Sequence, residues 1–183
     1  IIAAAFMTIA IISGNFDVSV SAIFVTAPLF GLKVENMTGN VFLAVVAAIA
    51  VGLIMGAING FIVTRLKINS FIGTLATSFM FFGAGFLISS RSLMRPETDA
   101  YRLIARSRFL GLTSATWIAI AVVIIATILL SRTRFGRNVF AVGGNMEAAR
   151  LAGVAVNRVQ TMAFLLLGAA AAANPTDPDV VNP

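Results

Sequence analysis

The sequence predicts an all-α, polytopic bundle of transmembrane helices with one short helix held outside the bilayer. Three observations carry that expectation. Of 183 residues, 59% are hydrophobic and 11% charged, and the mean hydropathy is +0.99, a balance far from that of a globular domain in water. The few charges leave six uncharged runs, at residues 1–16, 18–32, 36–64, 68–90, 109–131 and 159–176. The net charge of +6 comes from Arg and Lys gathered in the connections, where positive charge sets topology.

A helix needs about 20 mostly apolar residues to cross a hydrocarbon layer of about 30 Å. The runs at 36–64, 68–90 and 109–131 meet that length. The run at 18–32 would rise only about 22 Å as a helix, too little to cross alone. Asp17 stands just before it with apolar residues close on both sides. A broken helix is expected there, with Gly14 as the break and Asp17 or Asn15 capping the next piece. A carboxylate at membrane depth is also costly enough to suggest a role on a substrate path, and both readings stand. The chain opens on Ile1 without Met or a basic leader, which does not support a cleaved signal peptide and leads us to expect an internal fragment.

Orientation follows from the connections. Arg65 and Lys67 lie in one, and Arg132, Arg134, Arg137, Arg150 and Arg158 in another. The positive-inside rule makes both cytoplasmic, and the two runs between them agree. The connection at 91–108 must then face outside, although it holds Arg91, Arg95, Arg102, Arg106 and Arg108 against Glu97 and Asp99. A re-entrant segment would remove the conflict. Both flanking runs are long enough to cross, however, so we expect the count of crossings to prevail over local charge.

Asn59, Ser70, Thr74 and Thr77 offer neutral amide and hydroxyl groups at helical spacings, as does Asn69. Such groups suit hydrogen bonds to a polar solute and equally suit the packing of membrane helices. Gly52, Gly56 and Gly60 fall every fourth residue, the pattern of a close helix contact. With Asp17 and Asn15, the residues Asn59, Ser70, Thr74 and Thr77 are the candidate substrate path.

The stretch GGNMEAARLAGV at 143–154 carries helix punctuation in an otherwise apolar chain, its second Gly being Gly144. Asn145 is a good N-cap, Glu147 suits the first turn, Arg150 suits the last, and Gly153 stands where a C′ glycine ends a helix. A helix of about two turns is not stable alone in water, so a neighbour must hold it. Met146, Ala149, Leu151 and Val154 give it an apolar side, while Ala148, Ala149 and Ala152 keep it slim enough for a groove on another protein. The bland alternative is a helix lying on the lipid interface. Glu147 and Arg150 pair either with a partner or with each other. The preceding VFAVGG at 139–144 has the wrong glycine spacing, and no βαβ context, for a dinucleotide-binding turn.

Cysteine and histidine are both absent, which removes thiolate and imidazole catalysis and the usual zinc ligands. We expect no catalytic residue, metal or bound cofactor. The basic residues lack the aromatic interleaving of a single-strand nucleic-acid surface, so no nucleic-acid partner is expected.

The residues also carry a resemblance. The segment TRFGRNVFAVGGNMEAARLAG at 133–153 is similar to the cytoplasmic loop of bacterial ABC-importer permeases of the ribose, xylose and autoinducer-2 type, the branched binding-protein-dependent permease family. Glu147, Ala148, Ala149 and Gly153 match the first half of the Glu-Ala-Ala-x-x-x-Gly loop of importer permeases. Upstream, GNFDVSV at 14–20 resembles the family's Gly-Gly-Ile-Asp-Leu-Ser-Val, GAING at 56–60 its Gly-x-x-Asn-Gly, and SFIGTLAT at 70–77 its Pro-x-Phe-Ile-x-Thr-Leu-Gly-Thr. The resemblance implies a permease domain over 1–173, with a coupling helix inside the loop at 132–158. Asn145, Met146, Glu147, Ala148, Ala149, Arg150 and Gly153 would be the ATPase-coupling residues. Residues 174–183 depart from the pattern and read as an irregular tail from truncation.

What the resemblance further implies is a multi-pass subunit of the bacterial cytoplasmic membrane, forming a translocation path for sugars or sugar-like solutes. Its expected partners are an ATP-binding cassette ATPase that holds the ATP, an extracytoplasmic sugar-binding protein, a second permease subunit in a homo- or heterodimer, and membrane lipid. The alternative class is an ATPase-independent secondary transporter or channel. Ion coupling would need ionisable residues within the spans, and apart from Asp17 the runs hold none. A purely structural scaffold would leave the capped helix without a purpose.

Overall fold

A computed structural model describes residues 1–89, 108–109 and 111–173. Among the described residues eight helices follow in order, with one antiparallel hairpin of two-residue strands. They are α1 (Ile2–Ile12), α2 (Val20–Thr38), α3 (Val41–Thr64), α4 (Ser70–Ile88), β1 (Arg108–Phe109), β2 (Leu112–Thr113), α5 (Ser114–Arg132), α6 (Arg134–Gly144), α7 (Met146–Leu151) and α8 (Val156–Ala172). The hairpin pairs Arg108 with Thr113 and Phe109 with Leu112. The architecture is the all-α bundle expected. The remainder of the Arg-rich connection, and residues 174–183, lie outside the described residues.

Helix boundaries follow from caps. Asn40 accepts from the Phe42 and Leu43 N–H groups to start α3, and Asn69 accepts from Phe71 and Ile72 to start α4. Thr113, Thr133 and Asn145 start α5, α6 and α7 in the same way. Each side-chain oxygen satisfies an N–H that the first turn leaves without an intrahelical partner. Among the described residues α3, α4 and α5 are long and apolar enough to cross a membrane.

The expected length of the second run needs correction. α2 does not stop at Leu32 but continues through Lys33 and Glu35 to Thr38, 19 residues in all. Charge marked the wrong boundary there, because Glu35 is buried rather than placed in water. The helix ends at Gly39, whose φ of 66° is a left-handed cap.

Close backbone approach organises the bundle. α8 runs antiparallel to α3, and a methyl at Gly52 would lie 2.5 Å from Ala172 Cβ, while one at Gly60 would lie 3.0 Å from Thr161 Cγ2. At Gly56 the added carbon would collide with the Phe164 carbonyl. Gly168 meets Gly52 from the other side, so the glycine face predicted from spacing is a helix contact. α2 packs against α3 at Gly31, opposite Ala44 and Ala48, and against α4 through Thr26, which donates to the Phe81 carbonyl at 3.0 Å. α1 lies along α8, its Ile2, Phe6 and Ile9 sharing one buried cluster with Val159, Ala163 and Leu167.

The antiparallel pairing of α3 and α8 brings Arg65, at the end of α3, to the same end of the bundle as Arg158 in the first turn of α8. At that end the Thr64 and Thr161 hydroxyls meet at 3.2 Å. Both basic connections therefore share one end, as the count of crossings requires.

Candidate functional site

Two features stand out, a short capped helix at the basic end and a buried polar network around the break that follows α1. The helix α7 has six residues. Asn145 Oδ1 accepts from the Ala148 N–H at 2.9 Å. At the other end Gly153 N–H bonds to the Arg150 carbonyl at 3.0 Å, and Val154 N–H to the Ala149 carbonyl at 2.9 Å. With Gly153 at φ 83°, these two bonds form a Schellman motif, and Val154 packs near Ala149 in the buried cluster as that motif prefers. The start and the stop expected from Asn145 and Gly153 are both present.

What holds α7 is its inner side. Ala149 is buried among Val139, Val142 and Val156, while Leu151 is 83% exposed and Met146 40% exposed. Glu147 and Arg150 form an exposed ion pair at 3.2 Å. Ala148 faces outward between them. Of the apolar residues assigned to one side, Ala149 and Val154 turn inward and Met146 and Leu151 outward.

The segment before α7 is not a loop, as its charge and glycines had suggested. It forms α6, capped by Thr133 and burying Gly136, Val139 and Val142. The signal was available in Val139 and Val142 spaced along one face, with Arg134, Arg137 and Asn138 interleaved, but Gly143 and Gly144 at its end obscured it. Asn145 closes α6 and opens α7 at once, in an extended conformation. Gly143 lies against α1, where a side-chain carbon would collide with the Ile12 carbonyl.

Beyond Ile12 the chain breaks, as expected, with Gly14 at φ 83°. Asp17 is fully buried. Its Oδ1 accepts from the Ser19 N–H at 2.8 Å and the Ser19 hydroxyl at 2.7 Å, which caps the turn leading into α2. Asn59 Nδ2 donates to Asp17 Oδ2 at 3.3 Å and to Ser19 Oγ at 2.7 Å, and Thr77 donates to Asn59 Oδ1 at 2.7 Å. Thr74 accepts from the Val18 N–H at 2.9 Å, and Ser70 from the Phe16 N–H at 3.1 Å. Asn15 is buried beside Ser13 and donates to its hydroxyl at 3.2 Å.

The six residues Asp17, Asn15, Asn59, Ser70, Thr74 and Thr77 thus surround one feature, the break between α1 and α2. Sequence reasoning missed Ser13, Ser19 and Gln160. Ser19 relays between Asn59 and Asp17, and Gln160 reaches the Ser13 carbonyl at 3.4 Å from α8. Gln160 gave a signal, as an amide inside a run that is apolar from Val159 onward. Among the described residues no group of three metal-ligating side chains converges.

The family model described as "Branched-chain amino acid transport system / permease component" matches residues 1–174. The chain belongs to this permease family. Permeases similar to it include the L-arabinose transport system permease protein of Escherichia coli, 37% identical over 162 residues, which are 88% of this chain and 49% of that protein. The autoinducer 2 import system permease protein of Klebsiella pneumoniae is 35% identical over 166 residues, 90% of this chain and 48% of that one. The fructose import permease protein of Bifidobacterium longum is 31% identical over 175 residues, 90% of this chain and 52% of that one. The chain spans about half the length of these relatives. No solved structure gives a significant match. Its apolar spans and its family make this permease chain a membrane protein.

Proposed function

We propose that the chain is the membrane-spanning part of a permease subunit that imports a sugar or sugar-like solute, driven by an ATPase on a separate chain. The observation that carries this reading is α7, a rigid helix closed at both ends, anchored inward by Ala149 and offering Leu151, Met146 and the Glu147–Arg150 pair outward. The names of the similar permeases, for arabinose, fructose and autoinducer 2, support the solute class. On this reading the basic end is cytoplasmic, the membrane is the bacterial inner membrane, and the opposite end receives solute from a binding protein. A second permease subunit completes the path, and this chain hydrolyses no ATP itself.

The mechanism we infer uses the contacts at the basic end. When the ATPase closes, it moves the groove that holds α7. Asn145 leaves no slack between α7 and α6, so α6 moves with it. Gly143 passes the displacement to the end of α1 at Ile12, five residues before Asp17. The network of Asp17, Ser19, Asn59 and Thr77 then keeps the break in one shape while the helices around it shift. In this reading these side chains form the wall of the path rather than its solute ligands, because their polar groups are spent on one another.

The test is co-purification of the cognate ATPase with the full-length permease, together with uptake of labelled pentoses and hexoses. Glu147→Lys reverses a charge on the first turn. Gly153→Leu forces a left-handed conformation that costs about 1–2 kcal/mol and adds bulk beside the exposed Leu151. Both variants should insert normally and lose ATPase binding and uptake. Intact binding and uptake in both would make α7 an interfacial helix instead.

A further inference from the structure

The basic ends of α3 and α8 leave a cleft of about 440 Å³ between them. Arg65 closes α3 and Arg158 lies in the first turn of α8, and both line the cleft with exposed side chains. Among the described residues the ion pair joins Glu147 to Arg150, and neither cleft arginine has a carboxylate partner. A cation near a helix N-terminus meets the positive end of the helix dipole, so the potential at Arg158 is reinforced rather than relieved.

The same order of residues recurs on both helices. Phe61 precedes Arg65 by four residues and Met162 follows Arg158 by four. In an antiparallel pair, that spacing sets each apolar side chain one turn deeper than its arginine. Phe61 is 56% exposed and Met162 48% exposed within the cleft wall. The Thr64 and Thr161 hydroxyls lie between the two levels. A cationic rim thus stands over an apolar throat, just past the end of the membrane-length apolar helix Val41–Thr64.

We propose that this cleft binds one anionic phospholipid of the phosphatidylglycerol type, with its phosphate between Arg65 and Arg158 and an acyl chain along Phe61 and Met162. Guanidinium groups match phosphate geometry, and basic pockets between membrane helices favour acidic headgroups. A soluble phosphate would use the rim but not the throat. A neighbouring protein span would fill the throat but would need carboxylates of its own at the rim to match the two arginines. The inference does not depend on the transport reading.

Native mass spectrometry of the full-length protein in detergent tests it, with phosphatidylglycerol or phosphatidylcholine added. The expected result is one retained phosphatidylglycerol, no retained phosphatidylcholine, and no displacement by inorganic phosphate. Arg65→Gln with Arg158→Gln should lower retention about thirtyfold, from about fivefold for each arginine near an anionic lipid. Arg65→Lys with Arg158→Lys should keep most of it. Equal retention of the two lipids, no change in the double Gln variant, or competition by inorganic phosphate would overturn the proposal. Should the Gln variant fail to insert, a photoreactive residue at position 61 in the otherwise unchanged protein decides the matter. Cross-links to phosphatidylglycerol support the site, and cross-links to protein alone overturn it.

Discussion

Gly143→Ala tests whether the docking segment and α1 move as one body. A carbon added at Gly143 would overlap the Ile12 carbonyl, whereas one added at the next residue, Gly144, would meet nothing within 4 Å. Both positions lie in the last turn of α6, so both variants share the gain of about 1 kcal/mol that Ala has over Gly in a helix. Their difference isolates the contact. Overpacking of this kind costs about 1–3 kcal/mol, a factor of about 5 to 150 in an equilibrium or a rate. Because Ile12 is backbone, no side-chain rotation relieves the overlap, and α6 must withdraw from α1. In proteoliposomes holding the full-length permease and its ATPase, Gly143→Ala should retain ATP hydrolysis and lose solute uptake per ATP by that factor. Gly144→Ala should match the parent. Equal coupling and equal thermal stability in the two variants would refute the idea that this contact transmits anything.

Three further outcomes are expected. Asp17→Asn keeps an oxygen for the Ser19 N–H and hydroxyl but sets an amide N–H against the Asn59 amide, so it should insert and transport nearly as the parent does with some loss of thermal stability. Asp17→Ala strands two Ser19 donors and one from Asn59, at about 1–3 kcal/mol each, and thermal unfolding in detergent should separate the two variants. Gly56→Leu should abolish a monodisperse protein peak in detergent chromatography while Gly83→Ala, with open space around it, leaves the peak unchanged; similar behaviour would remove the close α3–α8 contact from the account. Single cysteines at Ser92, outside the described residues, and Asn138 should label from opposite sides of the membrane, and labelling from one side would make α4 or α5 re-entrant.

Freedom from charge over about 20 residues made α3, α4 and α5 legible. Asn40, Asn69 and Thr113, which cap them, went unread, because one polar residue beside an apolar run does not mark a start by itself, whereas Asn145 stood out with Glu147, Arg150 and Gly153 around it. Gly52, Gly56 and Gly60 announced a contact face, though not that its counterpart was Gly168, because a small-residue face does not name its partner. Reading stopped too early at Lys33 and Glu35, since the sequence alone could not reveal that tertiary packing encloses Glu35. α6 was hidden because Gly136, Gly143 and Gly144 weigh against a helix in isolation. In place, Gly136 sits where any larger residue would strike the Leu130 carbonyl and Gly143 where one would strike that of Ile12, so these two glycines serve close packing, while Gly144, with open space around it, is the last residue of the helix. The residues Asp17, Asn15, Asn59, Ser70, Thr74 and Thr77 could be grouped by type and spacing. Their convergence on one break could not, because it depends on α3 and α4 meeting the α1–α2 turn.

The direction of the bonds around Asn59 has a consequence for protons. Its amide nitrogen gives hydrogen bonds to Ser19 and Asp17, while its oxygen receives one from Thr77. A proton hopping along a chain passes readily through a link that can accept one proton and release another without leaving its stable form, as a hydroxyl or a water does. A carboxamide accepts on oxygen and donates on nitrogen, so a proton arriving from Thr77 would have to leave behind an imidic acid. Asn59 is therefore a poor proton relay, and a proton passing from the Thr77 side to Asp17 along this network would have to go through that unfavourable tautomer.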